Sequence, residues 1–169
     1  MQFNVSSLLK EHTGATREYD IDDDLMVEGE RRHVRGHARL DRTPRGILVR
    51  SHVSGTAHGE CSRCLKPITF PVDIQLEEQY IPTVDPDTGV HIEPEEGEED
   101  AYRIDARHTL DLSEAIAQYW TLAQPMAPLC DDACAGLCPV CGEKISGADH
   151  LCTREQVDAR WEKLGQLKL

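Results

Sequence analysis

The residues of this sequence whose types and spacing can do chemistry are its seven cysteines. Two pairs repeat as Cys-x-x-Cys, Cys61/Cys64 and Cys138/Cys141, and Cys130, Cys134 and Cys152 flank the second pair. Thiolates at such spacing are soft ligands for Zn(II), which takes four of them in a tetrahedron. From Cys130 to Cys141 the pattern C-x3-C-x3-C-x2-C places four ligands within 12 residues. The expected site is therefore Cys130, Cys134, Cys138 and Cys141. Cys130 and Cys134, four apart, share one helical face, and Gly142 gives the turn after Cys138 and Cys141 its room. Two other assignments stay open. A ribbon could join Cys61 and Cys64 to Cys138 and Cys141, and Cys152 could replace Cys130 or Cys134. Cys61 and Cys64 read equally well as a reduced, partly buried thiol pair. Four thiolates leave no coordination position for water, so the metal should be structural.

Other chemistry fails on its own motifs. A thiol–disulfide oxidoreductase needs its Cys-x-x-Cys at a helix start beside a parallel sheet, and Cys61–Cys64 follows alternating strands. A zinc deaminase needs His-x-Glu and a later Pro-Cys-x-x-Cys. His58-Gly59-Glu60 fits the first half, but Leu137 precedes Cys138 and the proline sits inside the pair. No P-loop, Gly-x-Ser-x-Gly or His-Glu-x-x-His motif occurs. The expectation is a non-enzyme with no small-molecule substrate.

The elements that must position these cysteines follow from periodicity. Val34, Gly36, Ala38 and Leu40 alternate with Arg35, His37, Arg39 and Asp41. After a turn over residues 43–46, Ile47, Val49, Ser51 and Val53 alternate with Leu48, Arg50, His52 and Ser54. A third strand is expected at residues 70–76 and a further one at residues 3–5. This is an antiparallel meander with one wet face. Asp111 and Glu114 suggest a capping box. Behind it Leu112, Ala115, Ile116, Tyr119, Trp120 and Ala123 recur at helical spacing until Pro125. A second helix is expected from Thr153, with Val157, Trp161 and Leu164 on its apolar side. Both tryptophans read as packing anchors.

Charge divides the chain. The net charge is −13, which points away from nucleic acid and toward a basic partner. Residues 85–100 hold Asp85, Asp87, Glu93, Glu95, Glu96, Glu98, Glu99 and Asp100 with no Lys or Arg, and read as a flexible acidic loop. Residues 31–58 hold seven arginines against one acid, Asp41. The expected fold class is α+β, an antiparallel β-meander or small barrel-like sheet with a helix and a zinc-stapled C-terminal helical segment. The expected divisions are 1–82, the acidic loop 83–101, and 102–169. The N-terminus has no charged leader before an apolar run, and no stretch is long and apolar enough to span a bilayer. A cytoplasmic location without membrane association is expected.

Cys61-Ser62-Arg63-Cys64-Leu65-Lys66-Pro67 resembles the Cys-x-Arg-Cys-Leu-x-Pro signature of the YceD family, the large ribosomal RNA subunit accumulation proteins. The acidic stretch before Ile104-Asp105 and Leu110-Asp111-Leu112-Ser113-Glu114 is similar to that family's acidic loop and helix. Cys130 and the run from Cys134 to Gly142 resemble the cysteine-rich tail of its Gram-positive and actinobacterial branches. Related tails carry an asparagine motif and a Cys-x-Cys; here Gly142-Glu143-Lys144-Ile145-Ser146 and Cys152 stand instead. The resemblance implies support of 23S ribosomal RNA accumulation, with no catalytic activity. The expected partner is large-subunit ribosomal RNA or a pre-ribosomal particle, because the basic, alternating surface of Arg35, Arg39 and Arg50, extended by Arg63 and Lys66, suits phosphate contacts. The alternative is an acidic module or chaperone for a basic, zinc-containing large-subunit ribosomal protein. Family members with the Cys-x-Arg-Cys pair but no cysteine-rich tail imply separable elements, which favours the local tetrad Cys130, Cys134, Cys138 and Cys141.

Overall fold

The computed structural model describes residues 1–27, 29–94, 97–98, 101–145 and 150. It is mostly β, a curled half-barrel sheet with a small helix. In chain order the elements are β1 (Gln2–Asn4), α1 (Ser6–Leu9), β2 (Thr16–Val27), β3 (Glu30–Thr43), β4 (Gly46–Glu60), β5 (Pro67–Pro82), β6 (Tyr102–Ile104), β7 (Thr109–Asp111) and α2 (Ser113–Ala123). The main sheet has the order β2-β3-β4-β5-β6, and β1 pairs with β7 in a second, two-stranded sheet. The β2–β3 and β3–β4 pairs are antiparallel, as the meander requires. The last pair, β5–β6, is parallel, with Tyr80 opposite Tyr102.

Alternation carries this sheet. Val34, Ala38, Leu40, Ile47, Val49 and Val53 are buried on one face, together with Val72, Ile74 and Leu76 of β5. Trp120 of α2 lies in the same core and is 1% exposed, so its role is packing. β2 is a strand that the periodicity reading does not contain. Its inward residues Tyr19, Ile21, Leu25 and Val27 alternate with Glu18, Asp20, Asp22 and Asp24. That run of carboxylates hides the strand from propensity, because Asp and Glu are depleted in β structure.

Three local expectations change. Asp111 belongs to β7 and α2 begins at Ser113, with no side-chain cap on Leu112. The Asp111 carboxylate still accepts the Ser113 N–H at 2.8 Å, so it anchors the helix entry from one residue outside. The acidic stretch opens as a closed turn rather than a loose loop. Asp85 Oδ1 accepts the N–H groups of Asp87 and Thr88 at 3.1 and 2.7 Å, Asp85 N donates to Val90 O, and Val84 bridges to His91. Those N–H donors, Thr88 first, hold the Asp85 carboxyl below its ordinary range. Further along the stretch, Glu98 pairs with Arg45 at 2.6 Å. The helix expected from Thr153, with Trp161, lies outside the described residues.

The chain divides into two compact units, residues 1–58 with 69–125, and residues 59–68 with 126–169. Neither unit follows the boundaries at 82/83 and 101/102. The helix α2 groups with the sheet, because its apolar side completes the sheet's core. The β4–β5 connection, which holds Cys61 and Cys64, groups with the cysteine-rich segment. Among the described residues no helix is long and apolar enough to cross a membrane.

Gly55 of β4 lies directly beneath the Trp120 ring of α2. A Cβ there would stand 2.7 Å from Trp120 Cη2 and 2.9 Å from His33 O. Gly55→Ala is therefore expected to destabilise the sheet unit by about 1–3 kcal/mol through overpacking. Urea unfolding would read this as a lower midpoint at unchanged slope.

Candidate metal centre

Four cysteines converge in the second unit, and they are not the four expected. The sulfurs of Cys61, Cys64, Cys130 and Cys134 all lie within 4.8 Å of one another. Cys64 Sγ is 3.6 Å from Cys130 Sγ, and Cys61 Sγ is 3.9 Å from Cys134 Sγ. Four sulfurs at about 2.3 Å from a tetrahedral ion stand about 3.8 Å apart. The group therefore has the spacing to hold a metal ion. Cys61, Cys64 and Cys134 are buried, with Ile68, Leu129 and Leu137 packed against them.

The tetrad Cys130, Cys134, Cys138 and Cys141 is split instead. Cys138 and Cys141 lie with His150, all three donor atoms within 4.8 Å. The ribbon of Cys61 and Cys64 with Cys138 and Cys141 is not formed either. None of the six described cysteines is in a disulfide, and Cys152 lies outside the described residues. The reason for the regrouping is the β4–β5 connection. It delivers Cys61 and Cys64 to Cys130 and Cys134 as a ready half-site, which removes the need for the short segment 130–141 to fold back on itself. His150 escaped the sequence reading. The spacing Cys-x2-Cys-x8-His from Cys138 is the signal that could have found it.

The backbone shapes this half-site. Cys61 N donates to Lys66 O at 2.9 Å and Leu65 N to Cys61 O at 2.9 Å, closing a tight knuckle. Leu65 pays for the closure with φ 56°, a left-handed conformation that costs a residue with a Cβ about 1–2 kcal/mol. Backbone N–H groups, that of Cys130 first, aim at Cys61 and hold its thiol down to about 6 despite burial. Neighbouring thiols, Cys134 and Cys64 first, push Cys130 up. Four sulfurs this close cannot all ionise without a cation between them. In the other group, backbone N–H donors at Cys141 and Val140 hold Cys138 down to about 6.

Arg63 has a positioning role here. Its Nη1 donates to Asp132 O and Cys134 O, both at 3.0 Å, which ties the Cys61–Cys64 loop to the segment carrying Cys134. Lys66 is exposed, and its carbonyl closes the knuckle.

The other arginines expected to contact phosphate lie on the wet face of the sheet unit, each beside a carboxylate. The register sets Glu18 opposite Arg39, Asp20 opposite His37, Asp22 opposite Arg35 and Asp24 opposite His33. Arg39 also faces Arg50 across β3–β4. Asp41 resolves that repulsion, at 2.9 Å from Arg39 and 2.6 Å from Arg50. Glu77 of β5 takes Arg50 at 2.8 Å, Asp22 takes Arg35 at 3.3 Å, and Asp73 takes His52 at 2.7 Å. Along this face stand Glu18, Asp20, Asp22, Asp24, Asp41, Asp73 and Glu77 against Arg31, Arg35, Arg39 and Arg50. Carboxylates thus exceed guanidinium groups. Partial burial pushes the Asp41 carboxyl up, but hydrogen bonds from Arg39 and Thr16, with the charges of Arg39 and Arg50, outweigh it and hold it below its ordinary range.

The family description "Large ribosomal RNA subunit accumulation protein YceD" matches residues 49–168. Uncharacterized proteins of Mycobacterium bovis and Mycobacterium tuberculosis are 34% identical over 132 residues, covering 76% of this chain and 59% of theirs. An uncharacterized protein of Mycobacterium leprae is 28% identical over 129 residues, covering 75% of this chain and 55% of its own. The chain thus spans less than two thirds of the length of these relatives. No solved structure matches it.

Two outcomes follow from this geometry. Arg63→Ala should weaken metal retention by about 10–100-fold, as loss of a group that orients ligands does. Competition with a chromophoric chelator measures it, and an unchanged affinity would deny Arg63 this role. Asp41 has a depressed folded pKa, so its stabilisation is present above about pH 4 and lost as pH falls through the folded value. Asp41→Asn should therefore lower the urea midpoint at neutral pH, with the difference from wild type shrinking on acidification.

Proposed function

Because the chain belongs to the YceD family of large ribosomal RNA subunit accumulation proteins, we propose that it is a non-catalytic factor in biogenesis of the large ribosomal subunit. In this reading it is a cytoplasmic binding module whose acidic sheet face takes a basic large-subunit ribosomal protein. Zn(II) held by Cys61, Cys64, Cys130 and Cys134 is structural. An all-thiolate set selects a soft ion, and four protein ligands leave no open position for substrate or water.

The observation that carries the choice of partner is the pairing on the wet face. Arg35, Arg39 and Arg50 each lie beside an acid of the same sheet. To hold RNA phosphates they would first have to leave Asp22, Asp41 and Glu77, and the remaining carboxylates would repel the RNA backbone. Arg63 is engaged with backbone carbonyls. A basic protein meets less of an obstacle, since its lysines and arginines find Glu18 and Asp20 exposed on one face, with Asp73 engaged, among the described residues, by His52 alone. The net charge of −13 supports the same partner through steering.

Affinity capture with the full chain, from extracts with and without nuclease, tests the proposal. A basic large-subunit ribosomal protein should survive nuclease treatment and be lost from a Glu18→Gln, Asp20→Asn, Asp73→Asn variant. Disappearance of every partner with the RNA, together with salt-dependent binding of 23S ribosomal RNA abolished in an Arg35→Ala, Arg39→Ala, Arg50→Ala variant, would instead establish the RNA-binding reading.

A further inference from the structure

The tetrad leaves the second Cys-x-x-Cys without a role. We propose that Cys138, Cys141 and His150 form a second, independent metal site for a soft divalent cation such as Zn(II), so that one chain carries two ions.

The donor atoms have the spacing for it. All three lie within 4.8 Å of one another, and Cys141 Sγ is 3.3 Å from His150 Nε2. A thiolate and an imidazole on one tetrahedral zinc stand about 3.6 Å apart. The two groups share no residue.

The backbone supplies an independent argument. In the first knuckle the N–H of the leading cysteine, Cys61, donates to the carbonyl five residues on, Lys66, at 2.9 Å. In the second, Cys138 N donates to Glu143 O, also five residues on, at 2.7 Å. In the first, the residue after the second cysteine, Leu65, donates back to Cys61 O at 2.9 Å. In the second, Gly142 donates back to Cys138 O at 2.9 Å. That residue is left-handed in both loops, φ 56° at Leu65 and 76° at Gly142. Apart from the cysteines the two loops share no residue, with Ser62, Arg63, Leu65 and Lys66 in one and Pro139, Val140, Gly142 and Glu143 in the other. Two unlike sequences thus close into one backbone form, and in the first that form presents two sulfurs to a metal-sized space. Around the second, Leu137 bridges to Lys144, and Ile145 N donates to Gly136 O at 2.9 Å, which makes the loop the tip of a small hairpin.

The donor sets predict different behaviour. Four thiolates give a complex of charge −2, buried on three of its four ligands. Two thiolates and a neutral imidazole give a complex of charge zero, with Cys141 and His150 only half buried. One position of the second ion is left to water or a further donor. The second ion should therefore exchange first.

Metal analysis of the full chain after loading with Zn(II) alone tests this. Two equivalents are expected, with one leaving early in a chelator time course. A Cys138→Ser, Cys141→Ser variant should keep only the slow ion, and a Cys61→Ser, Cys64→Ser variant only the fast one. His150→Gln keeps every thiol; should the serine variants fail to fold, its selective loss of the fast ion carries the test. If the wild-type chain binds only one equivalent and the Cys138→Ser, Cys141→Ser variant retains it, the second site is overturned. A single ion lost from that variant but kept by Cys61→Ser, Cys64→Ser supports the second site and sinks the tetrad.

Discussion

Thiols brought within 4.8 Å of one another repel as soon as more than one ionises, and this constraint organises the cysteine-rich unit. Cys61, Cys64, Cys130 and Cys134 are gathered from stretches of chain that the whole of β5 and α2 separates. Burial raises the cost of a thiolate at Cys61 and Cys130, while backbone N–H groups aimed at Cys61 lower it. A cation would satisfy all four at once. The same ion would close a long loop, and the entropy of closing a loop rises only slowly with its length. Distant ligands therefore cost little more than near ones, and they hold far more chain.

The knuckle around Cys61 shows how far local geometry is subordinated to this site. Leu65 adopts a left-handed backbone and leaves its side chain largely exposed. An isolated peptide would avoid both. The strain is held by the Cys61–Lys66 and Leu65–Cys61 hydrogen bonds, and by Arg63 reaching across to Asp132 and Cys134. In the Cys138 knuckle glycine takes the same conformation without that cost.

On the sheet the governing constraint is charge neutralisation across strands. Opposite charges on directly paired residues stabilise a sheet by a few tenths of a kcal/mol to about 1 kcal/mol each, and like charges destabilise it. Glu18 opposite Arg39 and Asp22 opposite Arg35 satisfy this rule between β2 and β3, and Asp41 repairs the place where Arg39 faces Arg50. A basic segment read alone looks like a phosphate-binding surface. Set beside its neighbours it is half of a balanced pattern with carboxylate left over.

The sequence by itself determined what is periodic or contiguous. The inward faces of β3 and β4, the turn between them, the packing role of Trp120 and the end of α2 near Pro125 all follow from side-chain alternation and helical spacing. The Cys-x-Arg-Cys signature carried the family. β2 was not legible, because its register with β3, not its propensity, makes a strand of Glu18, Asp20, Asp22 and Asp24. The ligand grouping was not legible either. Spacing measures separation along the chain, and Cys61 and Cys134 are 73 residues apart. Only the tertiary fold, by carrying the β4–β5 connection to Cys130 and Cys134, decided which cysteines could meet and which arginines were already answered by an acid.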